Sequence, residues 1–129
     1  MTMGDANNFD HEKEQIMNSA TRTQRIKELN DQFRRTGFGG RQFITPGIQE
    51  MGLPAVLTIR QLFARYDAFC EDNDPYGEHD FGSVKLSSGE KIFWKIDYYA
   101  DDTFSAGAED PADPAKSWRV LTIMLAEEY

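Results

Sequence analysis

Apolar positions along this chain follow a helical period first and a strand period later. Ile26, Leu29, Asn30 and Phe33 stand at helical spacing, and ELNDQFRR has no breaker, so a helix is expected from Ser19 or Thr21. Gly37 in TGFGG is placed as its C-cap, with Arg34 and Arg35 in the last turn where cations suit the helix dipole. RQFIT alternates polar and apolar and reads as a short strand over 41–45. Thr45 and Pro46 then open one or two helical turns, ended by Gly52. A second helix is expected over about 54–69, with Ile59, Leu62, Phe63, Tyr66 and Phe69 as its apolar stripe. Thr58 with Gln61 offers a capping-box alternative for its start.

Beyond residue 80 the period becomes two. FGSVKL and EKIFWKIDYY flank SSG and read as a hairpin, with Phe93 and Lys95 on one side and Trp94, Ile96 and Tyr98 on the other. Residues 100–117 are loop by composition, and WRVLTIMLAEEY is a strand covered on at least one face. Two amphipathic helices and three good strands give an α+β domain: two main helices packed on a small antiparallel sheet of three to four strands. The strand near 41–45 belongs at an edge or beside the C-terminal strand. Residues 1–18 are polar with little periodicity and are expected to be a flexible lead-in to a single domain over 19–129.

Length and composition agree with one core: 129 residues, 40% hydrophobic. The apolar runs are too short to span a bilayer, the N-terminal stretch lacks the apolar region of a signal peptide, and one cysteine makes no disulfide framework. A cytoplasmic protein without a membrane partner is the expectation.

The net charge of −8 is unevenly spread. Residues 1–45 hold seven Lys/Arg against six Asp/Glu, whereas 46–129 hold seven against sixteen. Segments 67–80 and 97–113 each carry six acids and no Lys or Arg. Such surfaces disfavour direct binding to a phosphate backbone and favour a basic protein, or serve solubility alone.

The segment EDNDPYGEHDFG (71–82) concentrates this chemistry. As a calcium loop starting at Asp72 it fails, because Tyr76 and Ser83 occupy ligand positions and a strand follows. Metal binding would fall to Asp74, His79 and Asp80, but neighbouring residues on a strand point apart and the other histidine, His11, lies in the lead-in. No metal and no cofactor are expected. Cys70 and His79 could meet in space, yet Cys70 follows the apolar stripe and reads as a small core residue. An enzyme would centre on Asp74, Glu78, His79 and Asp80, with Glu78, His79 and Asp80 as catalytic candidates, helped by Asp97 and Arg119. The structural alternative is a stiff turn. In it Asp72, Asn73 and Asp74 bond their own backbone, Gly77 takes a positive φ, and His79 donates to Asp74 or Asp97.

TGFGGR is no phosphate loop, since it ends a helix and lacks the GxxxxGK[ST] pattern. The aromatics of 93–99 and Trp118 have Asp97, Asp101 and Asp102 as sequence neighbours and read as packing rather than a stacking platform.

LNDQFRRTGFGGR, ITPGI, EDNDPYGEHDFG, FWKIDYY, DPADP and RVLTIMLAEEY together resemble a bacterial family catalogued as domain of unknown function 3768, over about residues 22–129. The resemblance implies a small cytoplasmic bacterial protein of the kind often carried on plasmids and other mobile DNA, beside anti-restriction and maintenance genes. The family carries no established activity, so no catalytic role transfers. The expected function is a small acidic interaction module, anti-restriction-like, that mimics nucleic acid to dock on a basic and nucleic-acid-handling partner. Its expected contacts are Asp72, Asp74, Glu78, Asp80, Asp101, Asp102, Asp110 and Asp113. The alternatives are the enzyme or metal protein above and a structural module dimerising through its C-terminal strand.

Overall fold

A computed structural model describes the backbone of residues 3–129 and the side chains from Asn18 onward. Of the expected lead-in over 1–18, residues 1–17 lie outside the full description. Helix α1 (Met3–Thr36) starts ahead of the expected Ser19 or Thr21 and ends as its sequence demands. Gly37 adopts φ +79 and returns its N–H to the carbonyl of Phe33 at 2.8 Å. The face that α1 turns inward is Ile26, Asn30, Phe33 and Arg34, all buried and spaced by helical turns.

Four strands follow in the spatial order β1-β4-β3-β2: β1 (Gly40–Ile44), β2 (Phe81–Lys85), β3 (Lys91–Tyr99) and β4 (Trp118–Leu125). β2, β3 and β4 pair antiparallel, through a hairpin turn at Gly89 (φ +95) and the loop of 100–117. β1 lies at the edge beside β4, as expected, and runs parallel to it, which makes the sheet mixed. β4 is the inner strand whose two faces are both covered: Leu121 and Ile123 on one, Val120 and Met124 on the other. No helix among the described residues is long and apolar enough to cross a membrane.

Short α2 (Pro46–Gln49) and α3 (Leu53–Ala64) share one face of the sheet with α1. Thr45 precedes α2 as expected but caps nothing with its side chain, which instead donates to Glu128 at 2.6 Å. The same carboxylate accepts from the N–H groups of Gly47 and Leu125, tying α2 to the end of β4. α3 stops at Ala64, five residues short of the expected 69. Val56, Ile59 and Phe63 form its buried face, joined by Tyr66 just past its end, while Leu62 falls off that face and is 42% exposed.

Trp94, wholly buried, is the centre of the core, ringed by Phe63, Tyr66 and Phe69 at centroid distances of 5.7–6.1 Å. Gly82 pairs with Trp94 across β2 and β3, and a Cβ there would run into the rings of Trp94 and Tyr66. Each large side chain so buried contributes about 2–3 kcal/mol of transfer free energy.

Candidate functional site

The acidic loop runs from the end of α3 to the start of β2 and is fastened by its own polar residues. Asn73 accepts from the N–H of Cys70 at 2.9 Å and donates to the carbonyl of Ala68 at 3.0 Å. Gly77, at φ +71, donates to the carbonyl of Asp74 and closes the turn over Pro75. This is the turn chemistry that the residue types promised. Cys70 is exposed, contrary to its expected place in the core, because the chain has left the helix before reaching it.

His79 is held in the left-handed region at φ +56, a conformation uncommon for a residue with a Cβ. Three contacts keep it there. Its N–H donates to Asp74 Oδ1 at 3.1 Å, its ring stacks on Phe69 at 3.7 Å, and its Nδ1 lies 2.9 Å from Asp31 Oδ1. A carboxylate can only accept, so Nδ1 carries the proton. The partner of the ring is thus Asp31 on α1 rather than the expected Asp74 or Asp97, with Asp74 Oδ2 standing 3.7 Å from Nε2. Asp31 also receives Arg34, whose guanidinium is buried, donates to the carbonyls of Phe63 and Ala64, and lies 5.4 Å from the ring centres of Phe69 and Trp94. Burial lowers the pKa of Arg34, and the bond to Asp31 opposes that shift.

A second ensemble lies beside the first. Asn30, fully buried on α1, donates to the carbonyl of Glu78 at 3.0 Å and to Tyr98 Oη at 2.7 Å, and accepts from Arg119 Nε at 2.7 Å. Arg119 also donates to Ser117 Oγ and to the carbonyl of Pro111, with its guanidinium 5.0 Å from the centre of the Tyr98 ring. The Tyr98 hydroxyl donates to Glu78 Oε2 at 3.1 Å, and burial pushes its pKa far up. Asp80 is half-buried next to these groups. Burial first, then the charges of Glu78, Asp74 and Asp97, push its carboxyl up to about 6.

The catalytic candidates therefore turn to different partners: Glu78 to Tyr98, His79 to Asp31, and Asp80 to the N–H of Ile96 through its backbone carbonyl. No group of three His, Cys, Asp or Glu among the described residues is arranged to hold a metal ion, and Asp74, His79 and Asp80 are no exception. Two clefts lie elsewhere. One of about 240 Å³ between α1 and α3 is lined by Arg34, Arg35, Arg60 and Gln42. Another of about 690 Å³ is lined by Arg25, Phe38, Trp118 and Arg119. Neither includes Asp74, Glu78, His79 or Asp80.

The binding candidates divide three ways. Asp74, Glu78 and Asp80 face the ensembles just described. Asp101, Asp110 and Asp113 fasten the 100–117 loop. Asp101 accepts from Thr103, Asp113 accepts from the N–H of Ala115, and Asp110 accepts from Ala112 and pairs with Arg22 at 2.9 Å. The bond to Thr103 lowers the Asp101 carboxyl, and the bond to Arg22 lowers that of Asp110. Asp72 and Asp102 are exposed and form no ion pair among the described residues. The site residues that sequence reasoning missed are Asp31, Arg34 and Tyr98, together with the central part played by Asn30. The one available signal was Asn30 itself, a polar residue inside an apolar helical stripe.

No curated protein and no solved structure matches the chain. A family model does, over residues 44–128, within the 22–129 of the resemblance and without the helix that supplies Asn30, Asp31 and Arg34. With most of its length matched, the chain belongs to the family described as Protein of unknown function (DUF3768).

Proposed function

We propose that the protein is an interaction module that docks its acidic end on a basic partner protein. One observation carries this reading. Segments 67–80 and 97–113 have no Lys or Arg and are separated in the chain by a hairpin, yet the strand register brings them to the same end of the sheet. Segment 67–80 enters the sheet where β2 starts, and 97–113 leaves it where β3 ends. Asp67, Glu71, Asp72, Asp101, Asp102 and Glu109 are exposed there. A concentration of like charge at one end steers a complementary surface and strengthens with falling ionic strength. Carboxylates so gathered compete with phosphates for arginine, so the partner fitting this surface best is a protein that handles nucleic acid. An accessory, anti-restriction-like role on bacterial mobile DNA is the form of this proposal that the resemblance supports.

The test is capture from a bacterial lysate at low salt by the full chain and by a variant carrying Asp72→Asn and Asp102→Asn. A basic protein captured by the first and lost by the second, with unchanged melting temperature, is the expected result. Equal capture by both sinks the electrostatic reading.

A further inference from the structure

The face of the sheet turned away from the helices carries a different chemistry from the acidic end. Strand register assigns to it Arg41 and Phe43 of β1, Lys91, Phe93, Lys95 and Asp97 of β3, and Phe81 and Lys85 of β2. Four cations thus share this face with one carboxylate, and that carboxylate is tied to Lys95 at 3.0 Å. Arg41, Lys85 and Lys91 form no ion pair among the described residues. Glu90 and Glu127 flank Lys91 at the far end without bonding it. Lys85 and Lys91 are direct cross-strand partners, an arrangement of like charges that destabilises a hairpin on its own.

Aromatic rings interleave with these cations. Phe43 is 43% and Tyr129 76% exposed, and Phe81, Phe93 and Tyr129 form a cluster with centroids 5.2–6.0 Å apart. The ammonium of Lys91 lies 5.4 Å from the centre of the Phe93 ring. Phe43, Thr122, Lys95 and Phe81 make one row straight across the four strands. Three inter-strand spacings give that row about 14 Å, the reach of two or three nucleotides of an extended strand.

We propose that this face, whose β4 residues Val120 and Met124 are buried beneath the surrounding side chains, binds single-stranded nucleic acid, with Phe43 and the Phe93–Tyr129 cluster stacking bases and Arg41, Lys91 and Lys95 meeting phosphates. Flat rings alternating with cations on one sheet face are what such a strand requires. Phe93 lies between Lys91 and Lys95 on its own strand, Phe43 is two residues from Arg41, and Phe81 has Lys95 as its cross-strand partner. In a protein of net charge −8, the gathering of four cations on one sheet face beside the single strand carboxylate Asp97, with Phe104 of the 100–117 loop edge-on to Phe43, is the feature to be explained. The inference is independent of the acidic docking end.

The test is fluorescence anisotropy of the full chain with labelled single-stranded DNA and RNA of about 12 nucleotides, beginning at about 50 mM salt. Binding is expected to weaken with salt. Lys91→Ala should lower the slope of log affinity against log salt by about 0.7. Phe43→Leu, at an exposed position, should weaken binding roughly tenfold without changing that slope. Asp72→Asn with Asp102→Asn should leave oligonucleotide binding intact, so failure of this proposal and failure of the docking end are read separately. The proposal is overturned by no binding at low salt, by indifference to both Lys91→Ala and Phe43→Leu, or by equal affinity for duplex DNA. Equal affinity for polyglutamate would also overturn it and would mark the face as a seat for an acidic protein.

Discussion

Asp72 and Asp74 stand two residues apart in one turn and belong to different halves of the molecule. Asp74 is 9% exposed and holds the backbone of His79, whereas Asp72 is exposed and holds nothing among the described residues. The same division runs through the whole acidic region. Its inner half, with Glu78 and His79, grips α1 and β3. Its outer half, with Asp102, faces solvent. Carboxylates alike in sequence thus do opposite work. The inner ones are consumed by the fold, and only the outer ones remain for a partner.

Substitutions test this contrast, beginning with the largest effect. Asp31→Ala should cost about 3–5 kcal/mol in chemical denaturation, because it strands the buried Arg34 guanidinium and frees the His79 ring. A loss below about 1 kcal/mol would mean that the two backbone carbonyls suffice for Arg34. Arg119→Ala should cost about 2–3 kcal/mol, since Asn30 Oδ1, Ser117 and the Pro111 carbonyl lose their donor.

Asp80→Asn should act in the other direction and depend on pH. The folded carboxyl is raised from 3.8 to about 6, so the folded state holds the proton more tightly than the unfolded chain. Its contribution is fully present below about pH 4 and is lost as pH rises through 6. Discounted for partial exposure, the variant should be about 1 kcal/mol more stable than the parent at pH 8 and indistinguishable at pH 4. A flat difference across that range would place the burden on some other group. The smallest effect belongs to Asp72→Asn with Asp102→Asn, expected within about 0.5 kcal/mol of the parent by thermal melting. A larger loss would show that the outer half also serves the fold.

Most elements were legible because their signals are local. Gly37, Pro46 and Gly89 act on their own dihedrals, and the alternation of β3 declares its two faces without reference to anything else. The end of α3 was misjudged because Tyr66 and Phe69 continue the helical spacing. They reach Trp94 from an irregular turn instead, and periodicity cannot distinguish the two routes. The parallel sense of β1 is likewise invisible, since alternation says which side chains share a face but not which way a neighbour runs. The site was half legible. The loop chemistry of Asn73, Asp74 and Gly77 could be read from residue types. The bond from Asp31 to His79 spans 48 positions and exists only once α1 has docked. Counting charges along the chain likewise hid the gathering of Arg41, Lys85, Lys91 and Lys95 on one sheet face, because β-pairing decides which side chains share a face.

The place of β4 also governs the order of events at the ribosome. β4 is the last of the four strands to be made, yet it sits between β1 and β3. Until residues 118–125 emerge, β1 has no neighbour and β3 has only its hairpin partner, so apolar strand edges stay uncovered through most of synthesis. Pairing β1 with β4 closes a loop of more than seventy residues, a slow step for a chain this size. A nascent chain stalled before Trp118 should therefore be an open hairpin and a lone helix pair, prone to capture by chaperones or by its own copies.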